Sequence, residues 1–168
     1  NSFSKIFSPG SRLGYILADD EISAKLFNAK TATNSHTSML PQVICAEFFK
    51  RGYYPAHHRM ICDLYRQRRD TMIECIDIYF PEGTKRVFPD GGLFTWAELP
   101  GGINTTELLA ESVKSPDVKV AYVAGEGFFT EGGGKGINCM RLSFGSVPPE
   151  KIRTGMERLG GLIRSKLK

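Results

Sequence analysis

The chain has 168 residues, 41% of them apolar, enough to bury one core. Its 22 basic and 18 acidic residues leave a net charge of +4. The two signs are interspersed along the whole length, which leaves no basic tail or patch for nucleic acid, and no apolar run nears the ~20 residues of a membrane span.

Taken in order, Arg12 to Leu17 is short and apolar and suits a strand, and Asp19-Asp20-Glu21 then supplies an acidic helix start. A second helix is expected over about Thr37 to Lys50, ending at Gly52 before Pro55. The clearest periodicity follows: Ile61, Leu64, Tyr65, Met72, Ile76 and Tyr79 share one face of a long helix. Arg59, Arg66, Arg69 and Asp70 lie opposite, as a solvated face rather than a binding patch.

After Pro81-Glu82-Gly83 the period becomes alternating. Lys85–Phe88, Leu93–Leu99, Lys119–Val123 and Ile137–Phe144 fit strands, with a helix from about Thr105 to Lys114 between the second and third. Asn104-Thr105-Thr106 matches a glycosylation sequon but reads better as a polar helix start. Gly132-Gly133-Gly134-Lys135-Gly136 fits a flexible surface turn; a phosphate loop would need Ser or Thr after the lysine. A last helix starts at Pro148-Pro149-Glu150 and runs to the end, with Ile152, Met156, Leu159 and Ile163 at helical spacing. This order suits an α+β layer, with helices on one face of a small, mostly antiparallel sheet.

Cys45, Cys62, Cys75 and Cys139 form no CxxC pair, and His36, His57 and His58 have no second cluster to complete a metal site. Reduced, mostly buried thiols and no metal are expected. Three places remain for chemistry: Ser2-Phe3-Ser4-Lys5 with Arg12, the Pro89-Asp90-Gly91-Gly92 turn, and Arg141. Lys5 has three readings: a solvated amine, the base of a Ser2-x-x-Lys5 nucleophile pair, or an amine that condenses with an aldehyde cofactor. The second needs Ser-Asp-Asn and Lys-Thr-Gly downstream, and neither occurs. Arg12 lies seven positions on, beyond the Pro9-Gly10 turn; it is either in a surface ion pair or a forked donor for a phosphate also met by Ser2. Arg141 alternates with Met140 and Leu142, so it faces either solvent or a cleft in which it would await a carboxylate.

In sequence, Ser2-Phe3-Ser4-Lys5-Ile6-Phe7-Ser8-Pro9-Gly10-Ser11-Arg12-Leu13-Gly14-Tyr15 resembles the cofactor-lysine motif of fold-type I pyridoxal-phosphate enzymes. The helix around His58, Met60, Tyr65, Arg68, Arg69 and Asp70, the run Gly91–Trp96, Gly125–Phe129 and Met140–Phe144 resemble the same family in order and spacing. The branch is that of 2-aminoadipate and aromatic aminotransferases and the related domain of MocR-type regulators.

The resemblance implies pyridoxal 5'-phosphate as cofactor, amino acid and 2-oxo acid substrates, and a homodimeric, cytoplasmic parent. It implies that Lys5 binds the cofactor covalently and moves the proton at the substrate α-carbon. Ser2, Ser4 and Arg12 would hold the phosphate, Arg141 would grip the substrate carboxylate, and Tyr15 and Gly91-Gly92 would border the site. It divides the chain into residues 1–36, a remnant of the large domain, and 37–168, the small domain. The family's pyridine-nitrogen aspartate and glycine-rich phosphate turn precede this lysine, so residue 1 is expected to fall inside the large domain. Negligible transamination is expected from the chain alone. The alternative parent is a MocR-type regulator that uses the same lysine to sense the cofactor.

Overall fold

A computed structural model describes residues 1–130 and 133–167, and its packing divides into two units, 1–62 and 63–168. In the first unit the chain closes a loop at once. Ser2 and Gly14 form an antiparallel bridge, flanked by bonds from Phe3 N–H to the Leu13 carbonyl (3.1 Å) and from Tyr15 N–H to the Asn1 carbonyl (2.9 Å). Gly14 allows the approach, since a Cβ there would sit 2.9 Å from the Asn1 carbonyl oxygen. Helix α1 (Asp20–Asn34) starts where Asp19 accepts the Ile22 N–H at 2.9 Å, with Asp20 and Glu21 in its positive first turn. Helix α2 (Met39–Lys50) buries Cys45 and sets Phe48 and Phe49 against the loop, with ring centroids 5.2 Å from Phe7 and 5.9 Å from Phe3. It stops at Arg51-Gly52, where Gly52 takes φ +74. Helix α3 (Tyr54–Tyr79) begins in this unit and ends in the other, with Pro55 in its first turn.

The second unit is a four-stranded antiparallel sheet in the order β1 (Lys85–Arg86), β2 (Phe94–Glu98), β4 (Cys139–Ser143), β3 (Val123–Ala124). Its inward face carries Thr95, Ala97, Met140 and Leu142. Against it pack Met72, Ile73 and Ile76 of α3, Leu108 of α4 (Thr105–Lys114), and Ile152, Met156, Leu159 and Ile163 of α5 (Pro149–Lys166). The i, i+4, i+7, i+11 spacing on α5 places these four on one stripe, and each full burial contributes roughly 1.5–3 kcal/mol. Gly160 lets α5 touch the end of α3, because a Cβ there would lie 2.3 Å from the Tyr79 carbonyl oxygen.

Buried polar groups are satisfied locally. The Thr105 hydroxyl donates to the Cys139 carbonyl (2.7 Å), and the Tyr122 hydroxyl donates to the Thr105 carbonyl (2.7 Å), where burial pushes the phenol above its ordinary titration range. Asn104 caps α4 by accepting the N–H groups of Thr106 and Glu107, which makes the sequon a helix start in this structure. The four cysteines are free thiols, three of them buried. Among the described residues no helix is long and apolar enough to cross a membrane, and no cluster of metal-ligating side chains occurs.

Several expected boundaries change. Arg12–Leu17 is not a strand: its pairing stops at the isolated bridge of Gly14 and the bonds flanking it, and Ile16 and Leu17 are 71% and 93% exposed. The four strands are shorter than their alternating segments, and beyond the paired register the chains are joined by single bonds, from Val87 N–H to the Trp96 carbonyl (2.9 Å), Leu99 N–H to the Asn138 carbonyl (2.9 Å) and Phe144 N–H to the Leu93 carbonyl (3.1 Å). Arg69 leaves the expected solvated face. It lies over the Phe88 ring at 4.5 Å, bonds Asp70, and donates to the Pro89 carbonyl. In the glycine-rich turn Gly133, Gly134 and Gly136 all take positive φ, while Gly132 lies outside the described residues, as does Lys168, to which the last helix is expected to run.

Candidate cofactor and carboxylate sites

The loop closed by the Ser2–Gly14 bridge carries four of the residues singled out in sequence. Two 3-10 turns, Phe3–Lys5 and Pro9–Ser11, shape it. Ser2 caps the first by accepting the Ser4 N–H at 3.1 Å, which leaves its hydroxyl proton available. Lys5 ends that turn exposed, with no hydrogen-bond or ion-pair partner among the described residues. Arg12 closes the second turn in the left-handed region (φ 52, ψ 39), a conformation that costs a non-glycine residue about 1–2 kcal/mol. Among the described residues its guanidinium makes only a 3.3 Å bond, to the Pro9 carbonyl. No Asp or Glu occurs before Asp19, so the amine, the hydroxyls and the guanidinium of this loop have no carboxylate of their own to neutralise them.

These features fit a phosphorylated aldehyde: an unpaired primary amine for the carbonyl carbon, hydroxyl and guanidinium donors for the dianion, and no competing acid. The serine–lysine pair has a different aspect. Ser2 Oγ is used as a cap acceptor, and no base contact to it occurs among the described residues.

In the second unit, register places Arg141 opposite Trp96 on β2 and opposite Val123 on β3, on the sheet face away from the core. The guanidinium lies 4.2 Å from the Phe94 ring centroid and 5.2 Å from that of Phe128. Trp96 stands edge-on to Phe128 at 5.3 Å. The Gly125–Phe128 turn brings Phe128 here because Gly125 packs directly on Cys139, whose Cβ would lie 2.4 Å from an added Cβ. Arg141 is half-buried and has no acidic partner among the described residues. Ring faces hold the cation in place by about 0.5–2 kcal/mol but do not neutralise it, so it remains available to an incoming carboxylate. The runs Gly91–Trp96 and Gly125–Phe129 stood out in sequence as motifs but not as a wall around Arg141; the alternation of Phe94 and Trp96 with buried Thr95 and Ala97 was the signal that could have placed the first two on its face. Tyr15 lies 5.4 Å from Phe3, and Gly92 turns the chain with φ +84.

A basic loop without acids and an arginine held in an aromatic box on an antiparallel sheet define an α+β protein equipped for small anionic ligands. Residues 1–159 match the family model for aminotransferase class I and II. The chain is 41% identical over 167 residues to aromatic-amino-acid aminotransferase 1 of Thermococcus litoralis, covering 99% of this chain and 39% of that protein. It superposes with a TM-score of 0.88 and 35% identity on an alpha-aminoadipate aminotransferase from Thermus thermophilus complexed with N-(5'-phosphopyridoxyl)-L-leucine, over 99% of this chain and 41% of that one. It is also 30% identical over 164 residues to the uncharacterized HTH-type transcriptional regulator YjiR of Escherichia coli, 33% of whose length it covers. The chain belongs to the class I and II aminotransferases, and it spans about two fifths of the length of the aminotransferases it matches.

Proposed function

We propose that this chain is the part of a pyridoxal 5'-phosphate-dependent aminotransferase that carries the cofactor lysine and the small domain, in a protein that moves an amino group between an amino acid and a 2-oxo acid. The observation that carries the reading is the bridge-closed loop in which the unpaired Lys5 amine, Ser2, Ser4 and Arg12 stand free of any carboxylate. When bound, the cofactor supplies an aldehyde for the amino group and a ring that draws electrons from the substrate α-carbon. Lys5 anchors it through Nζ and, once released, holds or moves the proton at the α-carbon. The Ser2 and Ser4 hydroxyls and the Arg12 guanidinium hold the phosphate. Arg141 orients the substrate through its carboxylate, and its aromatic box fixes the fork and limits water around it. In this scheme residues 1–36 contribute to the cofactor-binding domain and 37–168 form the small domain. The parent acts in the cytoplasm as a homodimer; four free thiols agree with a reducing compartment.

Incubation with pyridoxal 5'-phosphate, borohydride reduction and peptide mapping test the assignment. A pyridoxyl mass is expected on the Lys5 peptide at low stoichiometric excess. It should be absent in Lys5→Ala and reduced about tenfold or more in Arg12→Ala, which removes a charge-assisted phosphate contact. Uniform labelling of exposed lysines, indifferent to Arg12, would remove the site assignment. The similarity to YjiR supports a second reading, a cofactor-sensing domain of a transcription regulator, in which the same Lys5 adduct forms. Turnover of an amino acid by the protein that contains the chain separates the two.

A further inference from the structure

A second cavity, on the core side of the sheet edge, belongs to neither site. The alternating segment 119–123 joins β4 only at Val123 and Ala124. Lys119 takes the left-handed conformation (φ 50), and its N–H bonds the Ser112 carbonyl at 3.0 Å, while the Val120 carbonyl accepts the Ser112 hydroxyl at 2.6 Å. Drawn toward α4 by these bonds, residues 118–121 part from Leu142 and Ser143 and open a cavity of about 420 Å³. Its floor is apolar, with Met72, Leu142, Ile152 and Met156. Its outer wall is one stripe of α5, Lys151, Thr154, Gly155 and Arg158, whose two cations lie about 10 Å apart along the axis. Lys119 completes the rim. No acidic side chain lines the cavity, and Lys119, Lys151 and Arg158 have no ion-pair partner among the described residues.

We propose that this cavity is a ligand site for a small organic carboxylate with an apolar body, the body on the Met72–Leu142–Met156 floor and the carboxylate at the rim formed by Lys119, Lys151 and Arg158. Its volume lies within the ~300–1,000 Å³ of small-molecule pockets, and an apolar lining with a few convergent charges is their usual composition. The assignment does not depend on Lys5 or Arg141, neither of which lines the cavity.

Calorimetric titration of the Arg141→Ala chain, in which the other carboxylate receptor is removed, with 4-phenylbutyrate and with the neutral 4-phenylbutanamide tests it. Saturable one-site binding of the carboxylate is expected, with the amide about tenfold weaker or worse. Lys151→Gln combined with Arg158→Gln, both at exposed positions, should weaken 4-phenylbutyrate by a similar factor. Gly155→Leu should abolish binding by filling the cavity, since a Cβ at 155 is already 3.5 Å from Val120 Cγ2. Absence of saturable binding, equal binding of the amide, or indifference to the rim substitutions overturns the proposal. Should Gly155→Leu fail to fold, the double glutamine variant decides alone.

Discussion

In residues 1–62 the buried apolar side chains are Leu13 and Cys45, whereas residues 63–168 hold a continuous core from Met72 to Ile163. The first unit relies on local devices: a backbone bridge, a capped helix start, and a chain of ring contacts from Phe3 and Phe7 to Phe48, Phe49 and Tyr54. No residue of α1 is buried at all. The second unit relies on non-local burial. The difference shows how burial is divided: the polar, strained loop with the Lys5 amine sits on a lightly buried frame, while stability is concentrated around the sheet that holds Arg141.

The largest expected effect tests the core. Phe144→Ala, at 1% exposure, should destabilise the second unit by about 3–5 kcal/mol, while Phe27→Ala, at 69% exposure, should stay within about 0.5 kcal/mol. Urea unfolding followed by circular dichroism measures both, and comparable losses would erase the contrast. Next, Asp19→Ala removes the cap of α1 at a cost of about 1 kcal/mol. Amide exchange should accelerate about fivefold in α1, with no change in the amides of β2 and β4; acceleration in both would mean the units are coupled.

The smallest effect concerns pH. The hydrogen bond from Arg86 holds the Asp77 carboxyl below its ordinary value of 3.8. A folded pKa below the unfolded one gives stability that is fully present above the unfolded value. It is lost as pH falls through the folded value. With the two side chains 51% and 28% exposed, the pair is worth less than about 1 kcal/mol. Asp77→Asn should therefore lower stability at neutrality by less than about 1 kcal/mol and flatten the acid limb of the stability curve slightly, the difference from the parent chain disappearing as pH falls below about 4.

What sequence could disclose follows the same division. Helix α4 occupies Thr105–Lys114 as its pattern required, because Asn104 at its start and the Leu108 face are local signals. The stripe Ile152, Met156, Leu159 and Ile163 was equally plain in α5. Strand lengths were not, since whether Lys119–Tyr122 pairs depends on Ser112 bonding that segment from another element. The same holds for Arg12–Leu17, which meets only the short segment Asn1–Phe3 and forms a single bridge there. For the sites, residue type and spacing left Lys5, Arg12 and Arg141 each with a bland alternative, and it was the resemblance to the cofactor-lysine motif that implied roles for them and for Ser2 and Ser4. The box around Arg141 stayed hidden because Phe94 and Phe128 lie far apart in the chain and meet only through the sheet register and the Gly125 turn.

Trp96 is the only tryptophan in the sequence, and it stands beside that box, edge-on to Phe128. All indole fluorescence of the chain therefore comes from one strand, within a few ångströms of the guanidinium's rings. A carboxylate that seats on Arg141 would report itself by emission colour and quenching, without a dye or a label.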